Sequence, residues 1–130
     1  MTEINLPDVL AEVSAAFARY EAALVSNDVA TLDELFWDSP HTIRYGIGEV
    51  LHGMDEIRAF RAGRPAAGLA RSLKRTVITT FDRDAATAST LFRRGPGKLG
   101  RQMQTWVRLP EGWRIVAAHV SLVDEPAPAP

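Results

Sequence analysis

Phe36-Trp37-Asp38-Ser39-Pro40-His41-Thr42-Ile43-Arg44-Tyr45-Gly46-Ile47-Gly48 divides the chain into two kinds of sequence. Before it, apolar residues recur at helical spacing. After it, β-branched and alternating runs are separated by turn residues. Asp38-Ser39-Pro40 ends a helix, because the residue before a proline avoids the αR region. Thr42 to Tyr45 then reads as a short strand. Gly46 and Gly48 allow a tight reversal into Glu49-Val50-Leu51-His52, which completes a small hairpin. Arg44 sits inside this apolar frame, and a charged side chain is rarely buried without a partner. Pointing outward, Arg44 is an ordinary surface arginine. Pointing inward, it is there to meet an anion.

Upstream, Pro7-Asp8 opens a first helix, with Asn5 placed to cap it. Leu10, Val13, Phe17, Tyr20 and Leu24 recur at spacings of three and four, one face of a helix of about five turns. Tyr20 therefore belongs to the buried stripe. Ser26-Asn27-Asp28 stops that helix, and Val29 to Phe36 forms a second with Leu32, Leu35 and Phe36 inward. Downstream, Met54 to Arg64 makes a third helix through Ile57, Phe60 and Arg61. Ser72 to Phe81, Ala86 to Arg94, Arg101 to Leu109 and Trp113 to Val123 read as long strands. Asp82-Arg83-Asp84, Arg94 to Lys98 and Pro110-Glu111-Gly112 turn the chain between them. Helices followed by strands predict an α+β domain over residues 1–124. The expected shape is a cone, a curved antiparallel sheet wrapped around three helices with a pocket at its wide end. Residues 125–130, rich in proline and alanine, are expected to be a disordered tail.

The chain has 130 residues, which fits one domain. Its net charge of −1 gives no basic stripe for nucleic acid. No apolar run reaches the length of a membrane span. It has no cysteine, which removes disulfides, thiol catalysis and thiolate metal sites. The first residues lack a basic segment followed by a long apolar one, so the expectation is a cytoplasmic protein without a membrane partner. His41, His52 and His119 show no metal-ligand spacing, no phosphate-cradling glycine loop occurs, and no serine sits in a nucleophile elbow. No metal and no cofactor are expected.

The order of elements, with the closing Gly112-Trp113-Arg114-Ile115-Val116-Ala117-Ala118-His119-Val120-Ser121, resembles the nuclear-transport-factor-2-like (NTF2-like) or SnoaL-like superfamily. That fold hosts isomerases, dehydratases, cyclases and plain binders, so it does not define a function. More narrowly, Ala18 to Leu24, Leu35-Phe36-Trp37, Arg44 to Glu49, Ile57 to Arg61 and Gly100 to Trp106 resemble the AtzH/HpxZ-like family. The resemblance implies a small bacterial protein associated with amidase-signature enzymes in the breakdown of nitrogen-rich compounds. One branch implies decarboxylating amide hydrolysis of dicarboxyurea to allophanate; another is associated with oxalurate. The tyrosine and arginine implied in that activity match Tyr20 and Arg44.

Arg44 is suited to grip a carboxylate with two parallel hydrogen bonds. Tyr20 is either a core tyrosine with its hydroxyl satisfied or a proton donor at the pocket floor. By strict alternation His119 and Ser121 share a face with Ile115 and Ala117 and would line the pocket. Gln102, Gln104 and Trp106 share another face, which would let an amide, Gln104, line the pocket beneath the Trp106 indole. Arg71 would add a second positive charge and Trp37 an apolar wall, with His41 facing away. Arg61 and Arg64 read as helix-surface or ion-pair residues. The leading expectation is a cofactor-free enzyme acting on a small, doubly anionic ureido compound. The alternatives are a binding module serving an amidase partner, or another lyase or isomerase on this fold. A homodimer or higher oligomer through the outer sheet face is expected. The reading requires Tyr20 and Arg44 to open onto one cavity.

Overall fold

The chain begins with α1 (Pro7–Val25), whose proline sits in the first turn, where a missing N–H removes no helical hydrogen bond. Asn5 does not cap it. Its backbone turns to φ 57° and its Oδ1 accepts from the Thr80 N–H at 2.8 Å, tying the N-terminus to the sheet. Val9, Val13, Phe17, Tyr20, Ala23 and Leu24 are buried along one face, as the spacing predicts, with Val9 in place of Leu10. In α2 (Val29–Leu35) the Asp28 side chain caps the helix by accepting from the Thr31 N–H at 3.2 Å. This computed structural model describes residues 1–65 and 68–125. The tail from 126 onward lies outside the described residues. Glu125, assigned to that tail by its sequence, instead pairs with Arg93, and its N–H donates to the Gly97 carbonyl at 3.1 Å.

After α2 the chain forms β1 (Ile43–Tyr45), β2 (Val50–His52), α3 (Met54–Gly63), β3 (Ser72–Phe81), β4 (Ala85–Arg93), β5 (Lys98–Leu109) and β6 (Gly112–Asp124). They build one six-stranded sheet in the order β2-β1-β6-β5-β4-β3, curved and unclosed. The fold is α+β, as expected, but the sheet is mixed. β1 runs parallel to β6, pairing Arg44 with Ala118. The cause is the path from α2: Phe36 bridges Ile115 in parallel, the Trp37 N–H donates to the Ile115 carbonyl at 2.9 Å, and the chain continues along that edge.

The inner face carries Ala86, Ala88, Trp106, Trp113, Ile115 and Ala118 against α1, α2 and α3. Small residues on β4 leave room for the Trp106 indole. Burying a large apolar side chain contributes about 1.5–3 kcal/mol, so this face holds the layers together. At one end of the sheet Phe92 lies over Gly100, its partner across the ladder. A Cβ at Gly100 would fall inside the Phe92 ring, so only glycine fits there.

One irregularity decides which residues face inward. Thr105 pairs with Ala117 but Trp106 pairs with Ile115, so Val116 is an extra residue, a β-bulge. Side chains alternate with period two, and one inserted residue reverses the phase. Trp113 and Ile115 are inward before the bulge; Ala118 and Val120 are inward after it. His119 and Ser121 are thereby turned to the outer face.

Candidate functional site

One open end of the sheet holds a cavity of about 160 Å³. An apolar cavity of roughly 150 Å³ takes a benzene-sized molecule, so the scale is that of a small metabolite. Tyr20 and Leu24 enter from the C-terminal half of α1, Arg44 from β1, Phe60 and Arg64 from the end of α3, and Gln102 from β5. Helical periodicity turns Tyr20 inward, and its residue is 3% exposed. Strand alternation and the parallel pairing turn Arg44 inward, because its partner Ala118 is an inner-face residue. The two residues expected to converge do line the same cavity.

Arg44 is buried and it meets an anion, that of Glu49 from the other arm of the hairpin. Its Nη1 donates to Glu49 Oε1 at 2.7 Å, and its Cζ stands 5.5 Å from the centre of the Phe60 ring. The Gly48 N–H donates to Glu49 Oε2 at 3.1 Å, which fixes the carboxylate from its other side. The carboxylate lies against the Gly46 Cα, where a Cβ would overlap it. Only Nη1 is taken up by Glu49, and Nε with Nη2 is the edge suited to a bidentate carboxylate. The Tyr20 ring packs 6.3 Å from Phe36, and its hydroxyl makes no hydrogen bond among the described residues.

Arg71 also lines the cavity, as expected. Its charge is answered by Glu21, with Nε donating to Oε2 at 3.2 Å and Nη2 to Oε1. Nη2 also donates to Gln102 Oε1 at 3.0 Å, and the guanidinium stacks 4.5 Å over Phe92. Arg94, from the loop after β4, approaches the same ring at 5.3 Å. Arg64 leaves the helix at its C-cap in an extended conformation, which swings it towards the cavity. Burial pushes the Arg64 guanidinium below its ordinary pKa, and Arg44 adds to the push. Burial also lowers Arg94, with Arg71 as the next cause. Four guanidiniums thus meet at one cavity with two carboxylates, Glu49 and Glu21, to balance them. Two positive charges are left over.

Several expected lining residues lie elsewhere. Gln104 and Trp106 are fully buried in the core, where the indole Nε1–H donates to Gln104 Oε1 at 3.0 Å. The amide on the cavity is Gln102, one step along the same face. Trp37 is half-buried and stacks on His41 at 6.1 Å, away from the cavity, and His41 is exposed as expected. His119 packs edge-on to Tyr45 at 6.0 Å on the outer face. Ser121 Oγ accepts from Arg101 Nε at 3.1 Å on that face too. Both misplacements follow from the bulge at Val116. Arg61 is the structural arginine it was expected to be, paired with Asp33 at 2.9 Å and stacked 4.2 Å over Phe36. Arg64, read as its companion, is not. Glu49, Arg64 and Arg94 carried no periodic signal, and only the position of Arg64 one turn beyond Phe60 hinted at its direction.

Among the described residues no group of acids and histidines is arranged to hold a metal ion. No helix there is long and apolar enough to cross a membrane.

Three helices held in a curved, unclosed sheet, with a charged cavity at the open end, define an α+β protein of the NTF2-like type. Similar solved structures agree. A protein of unknown function from the DUF3225 family of Pectobacterium atrosepticum is 65% identical, with a TM-score of 0.91, over 92% of this chain and 94% of that one. A cystatin-like fold protein from Burkholderia xenovorans is 53% identical, with a TM-score of 0.93, over 97% and 100%. An NTF2-like protein from Novosphingobium aromaticivorans is 26% identical, with a TM-score of 0.72, over 95% and 87%. No match is found among curated proteins. The AtzH-like family model matches residues 2–126, and the chain belongs to that family. Family and fold fit a small-molecule-binding or enzymatic role.

Proposed function

We propose that the protein removes one carboxyl group from a small, doubly anionic urea derivative such as 1,3-dicarboxyurea, leaving allophanate. The observation that carries this reading is the convergence of Tyr20 and Arg44 on one small cavity with two uncompensated positive charges. A dianion matches that excess; a neutral ligand would leave it unanswered. Arg44 holds the carboxylate that stays, through its Nε–Nη2 edge. The bond between nitrogen and the departing carboxyl carbon breaks, its electron pair remains on nitrogen, and CO2 leaves. The nitrogen takes a proton from the Tyr20 hydroxyl, which recovers one from water. Leu24, Phe60 and Leu69 beside the site keep the electrostatics strong by limiting solvent.

The test is CO2 release from freshly generated dicarboxyurea by the purified protein with no amidase present. Tyr20→Phe keeps the ring and removes only the proton. It should fold normally and lose about 100-fold or more in turnover, the usual contribution of a general acid. Undiminished turnover in Tyr20→Phe refutes the mechanism. Tight binding of the dianion with no turnover by the wild type would make the protein a carrier or an amidase accessory instead.

A further inference from the structure

Arg64 and Arg94 differ from the other arginines of the cavity and the core in that no carboxylate pairs with them. Arg44 has Glu49, Arg71 has Glu21 and Arg61 has Asp33. Among the described residues Arg64 and Arg94 have no ion pair, and Nε and Nη2 of Arg64 are buried without a hydrogen-bond partner. Buried charged donors are costly when unpaired. The site is also constructed. Gly100 lets Phe92 lie flat at the sheet end, and the ring seats Arg71 and Arg94 together. Arg64 feels the charges of both Arg44 and Arg94, so these guanidiniums crowd one another across a single cavity. Packing alone gives no reason to gather like charges in this way. A second anionic group on the ligand does.

Resting on the dianion reading of this cavity, we propose that Arg64 and Arg94 form a second carboxylate subsite, which makes the protein select ligands with two carboxylates over ligands with one. Arg44 takes the first carboxylate, and Arg64 with Arg94 takes the other. The subsite also gives a physical reason for product release. Once CO2 has left, the remaining monoanion no longer reaches both sets of arginines and is held less tightly.

Glutarate and butyrate provide the probes. Glutarate spaces its carboxylates by the same number of chain atoms as dicarboxyurea, and butyrate is that chain with one carboxylate replaced by hydrogen. Calorimetric titration of the wild type should show glutarate binding about tenfold or more tighter than butyrate, as expected for one added charge-assisted grip. Arg64→Gln and Arg94→Gln should each narrow that ratio, and together bring it close to one, with butyrate affinity little changed. Arg44→Gln should weaken both ligands. Because Arg94 is exposed, Arg94→Gln gives a readout even if Arg64→Gln perturbs folding. The proposal is overturned if the wild type does not prefer glutarate, or if the double variant keeps the full preference. CO2 release separates this result from the catalytic reading. A ratio that collapses in a protein without turnover leaves the subsite standing and removes the reaction. Turnover with an unchanged ratio in the double variant removes the subsite alone.

Discussion

Gly46→Ala puts one methyl group where the Glu49 carboxylate lies. Its Cβ would overlap Oε1 of Glu49 and stand 2.9 Å from Nη1 of Arg44, so the carboxylate must move. The φ of Gly46 is not positive, so alanine carries no backbone strain there. On an unstrained site Gly→Ala stabilises by about 0.4–1 kcal/mol through the unfolded chain. The expected sign here is the opposite. Displacing Glu49 breaks a 2.7 Å ion pair and leaves a guanidinium whose side chain is only 9% exposed. Removing one partner of a buried pair costs about 3–5 kcal/mol. Glu49 is 21% exposed and is displaced rather than deleted, so the net loss should be about 1–2 kcal/mol. For a domain of this size that lowers Tm by roughly 4–8 °C. Thermal and urea unfolding measure it, and a double-mutant cycle locates the cause. In a Glu49→Ala background there is no carboxylate to displace, so adding Gly46→Ala should be neutral or slightly stabilising. An equal penalty in both backgrounds would refute the steric argument. Glutarate should also raise the Tm of Gly46→Ala more than that of the wild type, because the orphaned Arg44 gains its missing partner from the ligand.

Three further outcomes follow from other parts of the fold. Asp33→Ala should destabilise by about 3 kcal/mol in urea unfolding, because Arg61 is 2% exposed and loses the carboxylate that pairs it. His119→Ala and Ser121→Ala should leave glutarate affinity and turnover unchanged, since both side chains lie on the outer face; a tenfold loss in either would overturn the bulge argument. The Asp28 carboxyl is held below its ordinary pKa, first by the Thr31 hydroxyl and then by the Thr31 N–H. A lowered folded value means its stabilisation is present above the ordinary carboxyl range and is lost as pH falls through the folded value. Asp28→Asn keeps a cap that does not titrate, so stability should fall less steeply below about pH 4 than in the wild type.

The sequence pattern reached far where the physics is local. Helical spacing in α1 carries Tyr20 to the buried face, and Pro40 with the two glycines defines the hairpin that holds Arg44. The β-branched and alternating runs after Gly68 predict the long strands. The family motifs add the pairing of Tyr20 with Arg44, which the cavity then brings together. The pattern failed where a contact joins distant elements. Counting by twos along Trp113 to Ser121 puts His119 and Ser121 inside, but the ladder with β5 inserts Val116 as an unpaired residue and reverses the count. Alternation gives a face but not a depth: the Trp106 indole closes over Gln104 and leaves Gln102 at the opening.

What the sequence by itself determined is the order of the elements and the inward direction of Tyr20, because helix period, turn chemistry and strand alternation act over a few residues. What only the tertiary structure decided is the anion that meets Arg44, the arginines that gather around it and the excess of charge they leave. Glu49, Arg64 and Arg94 come from a hairpin, a helix end and a loop. Electrostatic balance depends on distances through space, and no local spacing encodes those.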